Sequence, residues 1–499
     1  MANINTELSV RYDDLTSTGT GARDSEALHP RSDAESGTPR AAEITRTTAV
    51  HAEGRKIITI VGGGPVGLFS AILLARRGHR VQLFEARLDP RYEGVQPGKS
   101  INVTLSERGL AALRVLGLEA QVLEKLCTPL HGRVVRTAGR TSQLPYGRPL
   151  QAVSRAALTR FLADAADQEP NVSLFFGQRC AKLEPATAII TVVDQQTGRR
   201  REVTADMVIG ADGAYSTVRR QMHQGQLADF SVHHVPWHYK ELTVTAEAAE
   251  AGVLADNAFH AWPGGRFMMF AIPNADRSFN AVIVLPAAGG DSFESISTPA
   301  AVDEFVRRHF KDVAPFMPNV AQEFLRGSPS GFATVKTSPW RFANKVVLIG
   351  DSAHAVVPFY GQGMNAGLED AVVLDECLVV HSGDCGLAFA AYQEHRKPHL
   401  DVLADLSLKN FDTLREGARR PHVLARREAI ELLHRLLGQR VMSLSHAVQH
   451  TTLPYADCQR MAERVHRLAR LCGLDLVVGV LALRHVSSGW LRRVRSWRK

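Results

Sequence analysis

The feature that most constrains the fold of this chain is a glycine pattern between two apolar segments. Gly62, Gly64 and Gly67 have the spacing G-x-G-x-x-G, directly after the apolar segment 57–61 and at the start of a helix-like run. The first glycine of such a pattern permits a tight turn, the second lets the backbone approach a pyrophosphate, and the third lets the helix pack closely on the strand. The pattern therefore predicts a strand, a turn and a helix that together bind a dinucleotide.

The first turn of the predicted helix adds an electrostatic reason for a phosphate site. Pro65 and Val66 fall in that turn, whose N–H groups and positive dipole end attract anions. Glu85 ends the next apolar segment, where a carboxylate can accept hydrogen bonds from both ribose hydroxyls. These residues predict a dinucleotide site, but they leave open whether the nucleotide is NAD or FAD.

The composition is that of a globular protein with more than one domain. Of the 499 residues, 45% are hydrophobic and 22% are charged, and a chain of this length divides into several cores. The net charge of +8 is concentrated towards the C-terminus, which argues against a nucleic-acid groove. The six cysteines contain no C-x-x-C pair, so we expect reduced thiols in a cytoplasmic protein and no metal site.

Two downstream motifs decide between the nucleotides. Asp212 follows an apolar strand-like segment and precedes Gly213, and Asp351 follows a second such segment. An acid at the carboxyl edge of a strand can bind a polyol hydroxyl, and a glycine-rich turn that opens a helix can bind a ring carbonyl through its N–H groups. The turn residues expected to contact the cofactor are Gly361, Gly363, Met364 and Asn365.

In this order the motifs resemble those of the FAD-dependent aromatic hydroxylases of the para-hydroxybenzoate hydroxylase fold. The resemblance implies that FAD, and not NAD, is the bound nucleotide. It implies that the first glycine motif and Glu85 bind the ADP half of FAD, that Asp212 lies near the pyrophosphate, and that Asp351 contacts the ribityl chain. Arg155 matches a family arginine at the cofactor phosphates. The sequence has no second G-x-G-x-x-G fold, which fits a family that binds NADPH only transiently.

The resemblance narrows to the kynurenine 3-monooxygenases over roughly residues 56–415, through the segments 99–109, 144–147, 210–219, 239–243, 267–274 and 357–367. It implies NADPH- and O2-dependent hydroxylation of L-kynurenine to 3-hydroxykynurenine through a C4a-hydroperoxyflavin. Hydroxylation of a substituted kynurenine or a related aryl amine is the first alternative. A flavin reductase of the same fold and a non-catalytic flavin-binding protein are the others.

The chain order predicts an α/β fold in which a Rossmann-like FAD-binding domain is interleaved with a β-rich substrate domain. Residues 55–231 and 341–400 are expected to form the two parts of the FAD-binding domain, and residues 232–340 the substrate domain. Residues 401–499 are expected to form a helical region with a basic tail. Residues 1–54 contain few large apolar side chains, and we expect a disordered tail there.

The resemblance also implies which residues bind the substrate. Arg133 and Tyr146 stand where the family binds a carboxylate, and Asn410 stands where it has an asparagine, so these three are expected to orient the substrate. A guanidinium suits this role because it offers a carboxylate two parallel hydrogen bonds. Outside the family context, an exposed strand arginine, a core-edge tyrosine and a solvated asparagine are the ordinary interpretations. The expected walls of the apolar slot are Phe259, Phe270, Ile272, Phe359 and Tyr360.

Some positions depart from the family pattern. Ser445 aligns with a second family tyrosine near the carboxylate, and Phe270 and Val284 exchange bulk in the apolar slot. Such changes of volume shift substrate preference by ~1–3 kcal/mol, which keeps a substituted kynurenine open. His354 follows a Gly-Asp pair and is expected to pack rather than to react.

The C-terminal segment Leu471–Leu483 is mostly apolar and precedes several arginines and two tryptophans. It is too short to span a membrane. A packed helix with a solvated basic tail is the favoured interpretation, and a weak peripheral contact with an anionic membrane is the alternative. The oligomeric state is left open by the sequence.

Overall fold

The computed structural model of the chain describes residues 55–92, 101–137, 140–417, 430, 434 and 442–471. The predicted tail 1–54 and the apolar and basic segment from 472 onwards lie outside the described residues. Within the described ranges, no helix is long and apolar enough to cross a bilayer. The same residues contain no group of three His, Cys, Asp or Glu side chains that could hold a metal ion.

The strands fall into a first group up to Gly210 and a second group from Asp229 onwards. The first group is β1 (Ile57–Val61), β2 (Arg80–Phe84), β3 (Asn102–Leu105), β4 (Cys127–Thr137), β5 (Arg140–Ser154), β6 (Val172–Phe175), β7 (Gln178–Glu184), β8 (Ile189–Asp194), β9 (Arg200–Thr204) and β10 (Met207–Gly210). The second group is β11 (Asp229–Val244), β12 (Ala258–Pro263), β13 (Met268–Pro273), β14 (Phe279–Pro286), β15 (Ser330–Ser338), β16 (Arg341–Phe342) and β17 (Val346–Leu348).

The helices are longest in the last third of the described chain. The earlier ones are α1 (Pro65–Arg76), α2 (Glu107–Val115), α3 (Glu119–Leu126), α4 (Arg155–Asp167), α5 (Thr217–Gln224), α6 (Glu247–Glu250), α7 (Pro299–His309) and α8 (Val320–Leu325). The later ones are α9 (Asp351–His354), α10 (Gly363–Val380), α11 (Cys385–Gly417), α12 (Leu444–His450) and α13 (Tyr455–Leu471).

A six-stranded sheet in the order β16-β17-β10-β1-β2-β6 carries the glycine motif. Strand β1 lies at its centre and pairs in parallel with both β2 and β10. Its sequence Ile-Ile-Thr-Ile-Val is apolar almost throughout because helices cover both faces of a parallel sheet. Helix α1 is buried along nearly its whole length, in keeping with its apolar sequence.

An eight-stranded sheet in the order β15-β11-β14-β13-β12-β4-β5-β3 forms the second layer. Strands β3, β4 and β5 join it although they belong to the segment 55–231, which was expected to serve the nucleotide domain. They join because β4 pairs in parallel with β12 from the middle of the chain, so that Arg133 lies opposite Phe259. The structure therefore places β3, β4 and β5 in the eight-stranded sheet, and the predicted domain boundaries stay a prediction.

Helix α10 carries a crowded set of carboxylates. Asp375 pairs with Arg77 at 2.7 Å, and Glu369 pairs with Arg396. Glu376 lies close to both acids, and burial, reinforced by the charges of Asp375 and Glu369, raises its pKa to about 7. The folded chain therefore binds more protons than the unfolded chain between pH 4.5 and about 7, so stability falls as the pH rises through that window.

We expect Glu376→Gln to raise the melting temperature by a few degrees at about pH 8 and to change it little at about pH 5. A carboxyl whose pKa rises from 4.5 to about 7 costs on the order of 3 kcal/mol above that range, and the amide removes this cost. Thermal unfolding of the holoenzyme at both pH values checks this, with Glu124→Gln on the exposed face of α3 as the control. Equal gains at both pH values would contradict the assignment.

Candidate active site

Each of the three motif positions is occupied by glycine for a different structural reason. Gly62 has φ +114°, and its N–H donates to the Phe84 carbonyl at 2.8 Å. A Cβ on Gly67 would lie 1.9 Å from the Gly62 oxygen, so the close packing of helix on strand excludes any side chain there. A Cβ on Gly64 would meet nothing within 4 Å. Gly64 thus faces open space at the helix N-terminus, where a phosphate can approach the backbone.

The N-terminus of α1 is built to receive an anion. Gly64 is its N-cap and Pro65 its first helical residue, and no side chain caps this end. The Leu68 N–H already donates to the Gly64 carbonyl at 3.0 Å. The first N–H groups of a helix have no intrahelical acceptor, so those of Val66 and Gly67 are available to a phosphate.

Glu85 lies at the carboxyl end of β2 and is only 8% exposed. Its Oε2 accepts a hydrogen bond from the Gly63 N–H at 2.6 Å. Its Oε1 accepts from the N–H and the Nε of Arg87 at 2.9 and 3.0 Å. Burial alone would raise the pKa of Glu85, but these donors and the charge of Arg87 outweigh it and lower the pKa. The motif therefore ends in an ionised carboxylate beside the glycine turn.

Both carboxylate oxygens of Asp212 accept hydrogen bonds from other groups of the protein. Its Oδ1 accepts from the hydroxyls of Ser216 at 2.5 Å and Ser352 at 3.1 Å. Its Oδ2 accepts from the N–H groups of Thr217 at 2.7 Å and Val218 at 3.1 Å. Asp212 thus holds the N-terminus of α5 and links it to α9. A cofactor contact in this motif has to come from the backbone next to Asp212 rather than from its carboxylate.

The loop from Gly350 to Gly363 brings the second acid and the second glycine turn together. Asp351 is exposed at the start of α9, and its carboxylate has no hydrogen bond within the described part of the chain. A Cβ on Gly363 would lie 3.7 Å from Asp351 Oδ1, so the N-terminus of α10 faces this acid. Gly361 has φ +67°, and a Cβ there would lie 2.4 Å from Thr104 Oγ1. Met364 packs against the main core.

Asn365 fixes this turn to β3. Its Nδ2 donates to the carbonyls of Thr104 and Gly361, both at 2.8 Å, and its Oδ1 accepts from the Ser106 N–H at 3.0 Å. The side chain is wholly buried. Asn365 therefore orders the turn, while the backbone N–H groups of the turn remain the part that can reach a ligand.

Asp370, a buried carboxylate that was not predicted from the sequence, holds the Asp351 loop from its buried side. Asp370 is completely buried, and its Oδ2 accepts from the Gly350 N–H at 2.9 Å and contacts His354 Nε2 at 2.5 Å. Its Oδ1 accepts from Arg396 Nε at 2.7 Å. Burial would raise the pKa of Asp370, but His354 and Arg396 lower it to about 2. In the sequence Asp370 is one of four acids in α10, and nothing in that pattern marks it as the buried one.

His354 stays within this network. Its ring lies 5.1 Å from the ring of Trp340, between centroids, on the side away from solvent. The expectation that His354 packs rather than reacts agrees with this placement. Arg155, by contrast, is exposed at the first turn of α4. Burial raises the pKa of Glu241 on β11, and the positive charge of Arg155 acts in the opposite direction.

Arg133 has an unusual environment for a strand arginine. Its guanidinium carbon lies 5.0 Å from the centroid of the Phe259 ring, on the neighbouring strand β12. Its Nε is buried and has no hydrogen-bond partner among the described residues. A buried donor without an acceptor costs free energy, so a ligand that supplies an acceptor at this position removes that cost.

The predicted wall residues form a series of contacts that begins at Phe259. Tyr146, Phe259 and Ile272 pack on one small cluster of buried side chains. The ring centroid of Phe270 lies 5.6 Å from that of Phe259 and 6.3 Å from that of Phe359. These contacts bring side chains from β5, β12, β13 and the 3₁₀ turn Pro358–Tyr360 to one place.

Helices α11 and α12 fix that turn from the other side. Asn410 on α11 donates through Nδ2 to the Phe359 carbonyl at 2.8 Å. Gln449 on α12 donates through Nε2 to the Tyr360 carbonyl at 3.3 Å. Tyr360 itself is 7% exposed and packs against the main core. Asn410 therefore holds the turn that carries Phe359 and Tyr360, and the wall roles of both residues stay a prediction.

Comparison with known proteins identifies the family. Residues 56–407 match the family described as FAD binding domain. A kynurenine 3-monooxygenase of Salinispora arenicola (strain CNS-205) is 44% identical over 436 residues, which cover 86% of this chain and 96% of that protein. This chain belongs to the kynurenine 3-monooxygenase family. The kynurenine 3-monooxygenase of Sus scrofa is 33% identical over 409 residues, covering 81% of this chain and 86% of the relative.

Membership in the kynurenine 3-monooxygenase family confirms several predictions. The chain is an FAD-dependent aromatic monooxygenase, with O2 and NADPH as the co-substrates of this class. A solved 2-methyl-3-hydroxypyridine-5-carboxylic acid oxygenase matches the structure with a TM-score of 0.61 at 22% identity, covering 74% of this chain and 95% of that one. The predicted α/β fold with an interleaved FAD-binding domain and a helical C-terminal region is confirmed.

We expect Gly64→Ala to fold normally but to lose FAD affinity by about tenfold or more, which is ~1.4 kcal/mol. Gly64 has φ −74° and open space around it, so alanine fits the fold, but its methyl group occupies the path of the phosphate. The flavin-to-protein ratio after dialysis and the melting temperature of the apoprotein check this. In Gly67→Ala the clash with Gly62 should instead destabilise the protein itself. Full flavin retention in Gly64→Ala would refute the phosphate assignment.

Proposed function

We propose that this chain hydroxylates L-kynurenine to 3-hydroxykynurenine with NADPH and O2. The observation that supports this substrate is Arg133, whose buried Nε has no acceptor among the described residues and whose guanidinium lies over Phe259. A guanidinium next to aromatic walls suits a ligand with a carboxylate at one end and an aryl ring at the other. Relatives from a bacterium and from Sus scrofa that are named for this reaction support the proposal.

The proposed roles of the pocket residues follow from their contacts. Arg133 and Tyr146 bind the carboxylate, and Asn410 holds the turn that carries Phe359. Phe259, Phe270 and Ile272 hold the ring and keep water away from it. FAD, when bound, accepts hydride from NADPH and activates O2. The contribution of the protein is then orientation and exclusion of water, and no side chain has to act as a nucleophile.

The proposed cofactor contacts use backbone groups more than side chains. The glycine turn and the first N–H groups of α1 receive the phosphates, and Glu85 receives the ribose. Asp351 receives a hydroxyl of the ribityl chain, because its exposed carboxylate has no competing hydrogen bond within the described ranges. The turn from Gly361 to Met364 offers the N–H groups of Gln362, Gly363 and Met364 to the flavin ring, since the Gly361 N–H already donates to the Pro358 carbonyl. Arg155 is proposed to contact a phosphate from the first turn of α4.

A substituted kynurenine is the second candidate substrate. Ser445 on α12 stands where the family resemblance places a longer hydroxyl side chain. Ala261 lies opposite Phe270 across the β12–β13 pair, and it is a small residue in the ring slot. A ring substituent shifts binding in such a slot by ~1–3 kcal/mol, so a panel of substituted kynurenines decides between the candidates.

A cytoplasmic location is proposed from the state of the thiols. Cys127, Cys180 and Cys377 are free, and burial raises the pKa of each thiol to about 12. Protonated, shielded thiols suit a reducing compartment. Sedimentation of the full chain with anionic and neutral vesicles tests whether the basic C-terminal segment adds a peripheral membrane contact.

The decisive experiment incubates the purified flavoprotein with NADPH, O2 and L-kynurenine. We expect stimulated NADPH oxidation and a product one oxygen atom heavier, with the label of ¹⁸O2 in the ring hydroxyl. Stimulation only by a substituted kynurenine would move the assignment to the second candidate. NADPH oxidation without labelled product would favour a flavin reductase.

We expect Arg133→Met to raise KM for L-kynurenine by about 10- to 100-fold, as for a lost hydrogen-bonded charge pair of ~1.5–3 kcal/mol. Arg133→Lys should recover only part of this, because lysine lacks the planar fork. The decarboxylated analogue kynuramine should be used equally well by all three proteins. Arg114→Met, which removes a half-exposed arginine on α2, is the control and should leave both KM values unchanged. An equal loss with kynuramine would assign Arg133 to structure.

A further inference from the structure

Helix α12 brings a group of histidines to the carboxylate end of the pocket. The ring of His450 lies 5.7 Å from the ring of Tyr146, between centroids. The ring of His446 stacks on His450 at 4.8 Å with an angle of 27°. His434 lies 4.3 Å from His446, again between ring centroids. The helix is pressed close to β5, since a Cβ on Gly147 would lie 3.7 Å from His446 Cε1.

Apart from the phenol of Tyr146, the charged and titratable groups that face His450 are all basic. They are Arg148, two residues beyond Tyr146 on β5, His446 on the same helix, and His434. Burial and then these three neighbours lower the pKa of His450 to about 4, and none of the described carboxylates offsets them. His450 is therefore neutral at neutral pH, and its ring forms no hydrogen bond within the part of the chain that the structure describes.

This arrangement suits an anionic ligand. The half-buried ring of His450 has an N–H without an acceptor among the described residues, and Arg148 adds a positive charge beside it. An anion near the cluster accepts that N–H and is attracted by the positive charge. Arg133 lies on β4, the strand that pairs with β5.

The helix is also held in register with the pocket. Gln449, next to His450 in the chain, bonds the Tyr360 carbonyl at 3.3 Å. Tyr455 at the start of α13 donates its hydroxyl to Gln362 Oε1 at 3.0 Å. The turn Pro358–Tyr360 therefore connects α12 to the Phe359 wall, so the histidines keep a fixed position relative to the ring slot.

We propose that His450 is a specificity-determining residue that donates a ring N–H to the carboxylate of the substrate, beside Arg133 and Tyr146. His446 stacks behind the ring and sets its orientation. This inference rests on the proposed function, since it concerns the acidic tail of the same substrate. It assigns α12, from the C-terminal part of the chain, a direct part in substrate selection.

The test compares L-kynurenine with kynuramine, which has the same ring but no carboxylate. In His450→Phe the ring packing is retained and the N–H is lost. We expect KM for L-kynurenine to rise by about 10-fold or more, with kcat within about twofold, as for a lost hydrogen bond to a charged group. KM for kynuramine should stay unchanged. One of the two amide variants, His450→Asn or His450→Gln, should restore the lower KM because its N–H reaches the place of one ring nitrogen.

Controls separate this role from packing and from the proposed function. His234→Phe, on the exposed face of β11, should change neither KM. An equal rise of KM for both substrates, or no rescue by either amide, would overturn the inference. If His450→Phe loses its flavin, His450→Leu serves the same comparison. A wild-type enzyme that turns over no kynurenine overturns the proposed function itself, whereas normal turnover with an unchanged KM in His450→Phe overturns only the role of His450.

Discussion

Asp370 lies wholly buried where the end of β17, helix α9 and helices α10 and α11 meet. Its two oxygens receive the Gly350 N–H, the His354 ring and the Arg396 guanidinium. A buried carboxylate costs several kcal/mol unless such partners surround it, and removing one partner leaves the others uncompensated. The loop that presents Asp351 is thus tied to α10 and α11 through one buried carboxylate, which adds to the hydrogen bond between Ser352 and Asp212.

The substrate side depends instead on how the chain crosses between two sheets. Strand β4 leaves the nucleotide part of the chain and pairs with β12, which brings Arg133 opposite Phe259. Helix α11 returns from the last third of the described chain to hold the Phe359 turn through Asn410. The proposed pocket is therefore assembled from segments far apart in sequence, and the eight-stranded sheet carries most of its proposed walls.

The sequence predicted best what is local. The glycine motif is readable because the required contacts, such as that of Gly67 with the Gly62 carbonyl, lie within a few residues. The partners of Asp212, Asn365 and Asp370 are not readable, since they include Ser352, Ser106 and Arg396, which only the fold brings close. Likewise, alternating apolar residues predict that β4 and β5 are strands, but they do not indicate which sheet the strands join. The histidines of α12 carry no motif at all.

The acidic and basic groups of the two proposed sites differ in the hydrogen bonds that the protein gives them. This difference indicates the charge of the substrate. Glu85 and Asp212 already accept hydrogen bonds from donors of the protein. Arg133 has a buried donor without an acceptor among the described residues, and His450 lies among basic groups. The unsatisfied donor of Arg133, and a His450 ring that lies among basic groups, suit a negatively charged ligand. An anionic tail on an aromatic substrate supplies that charge where the pocket lacks it.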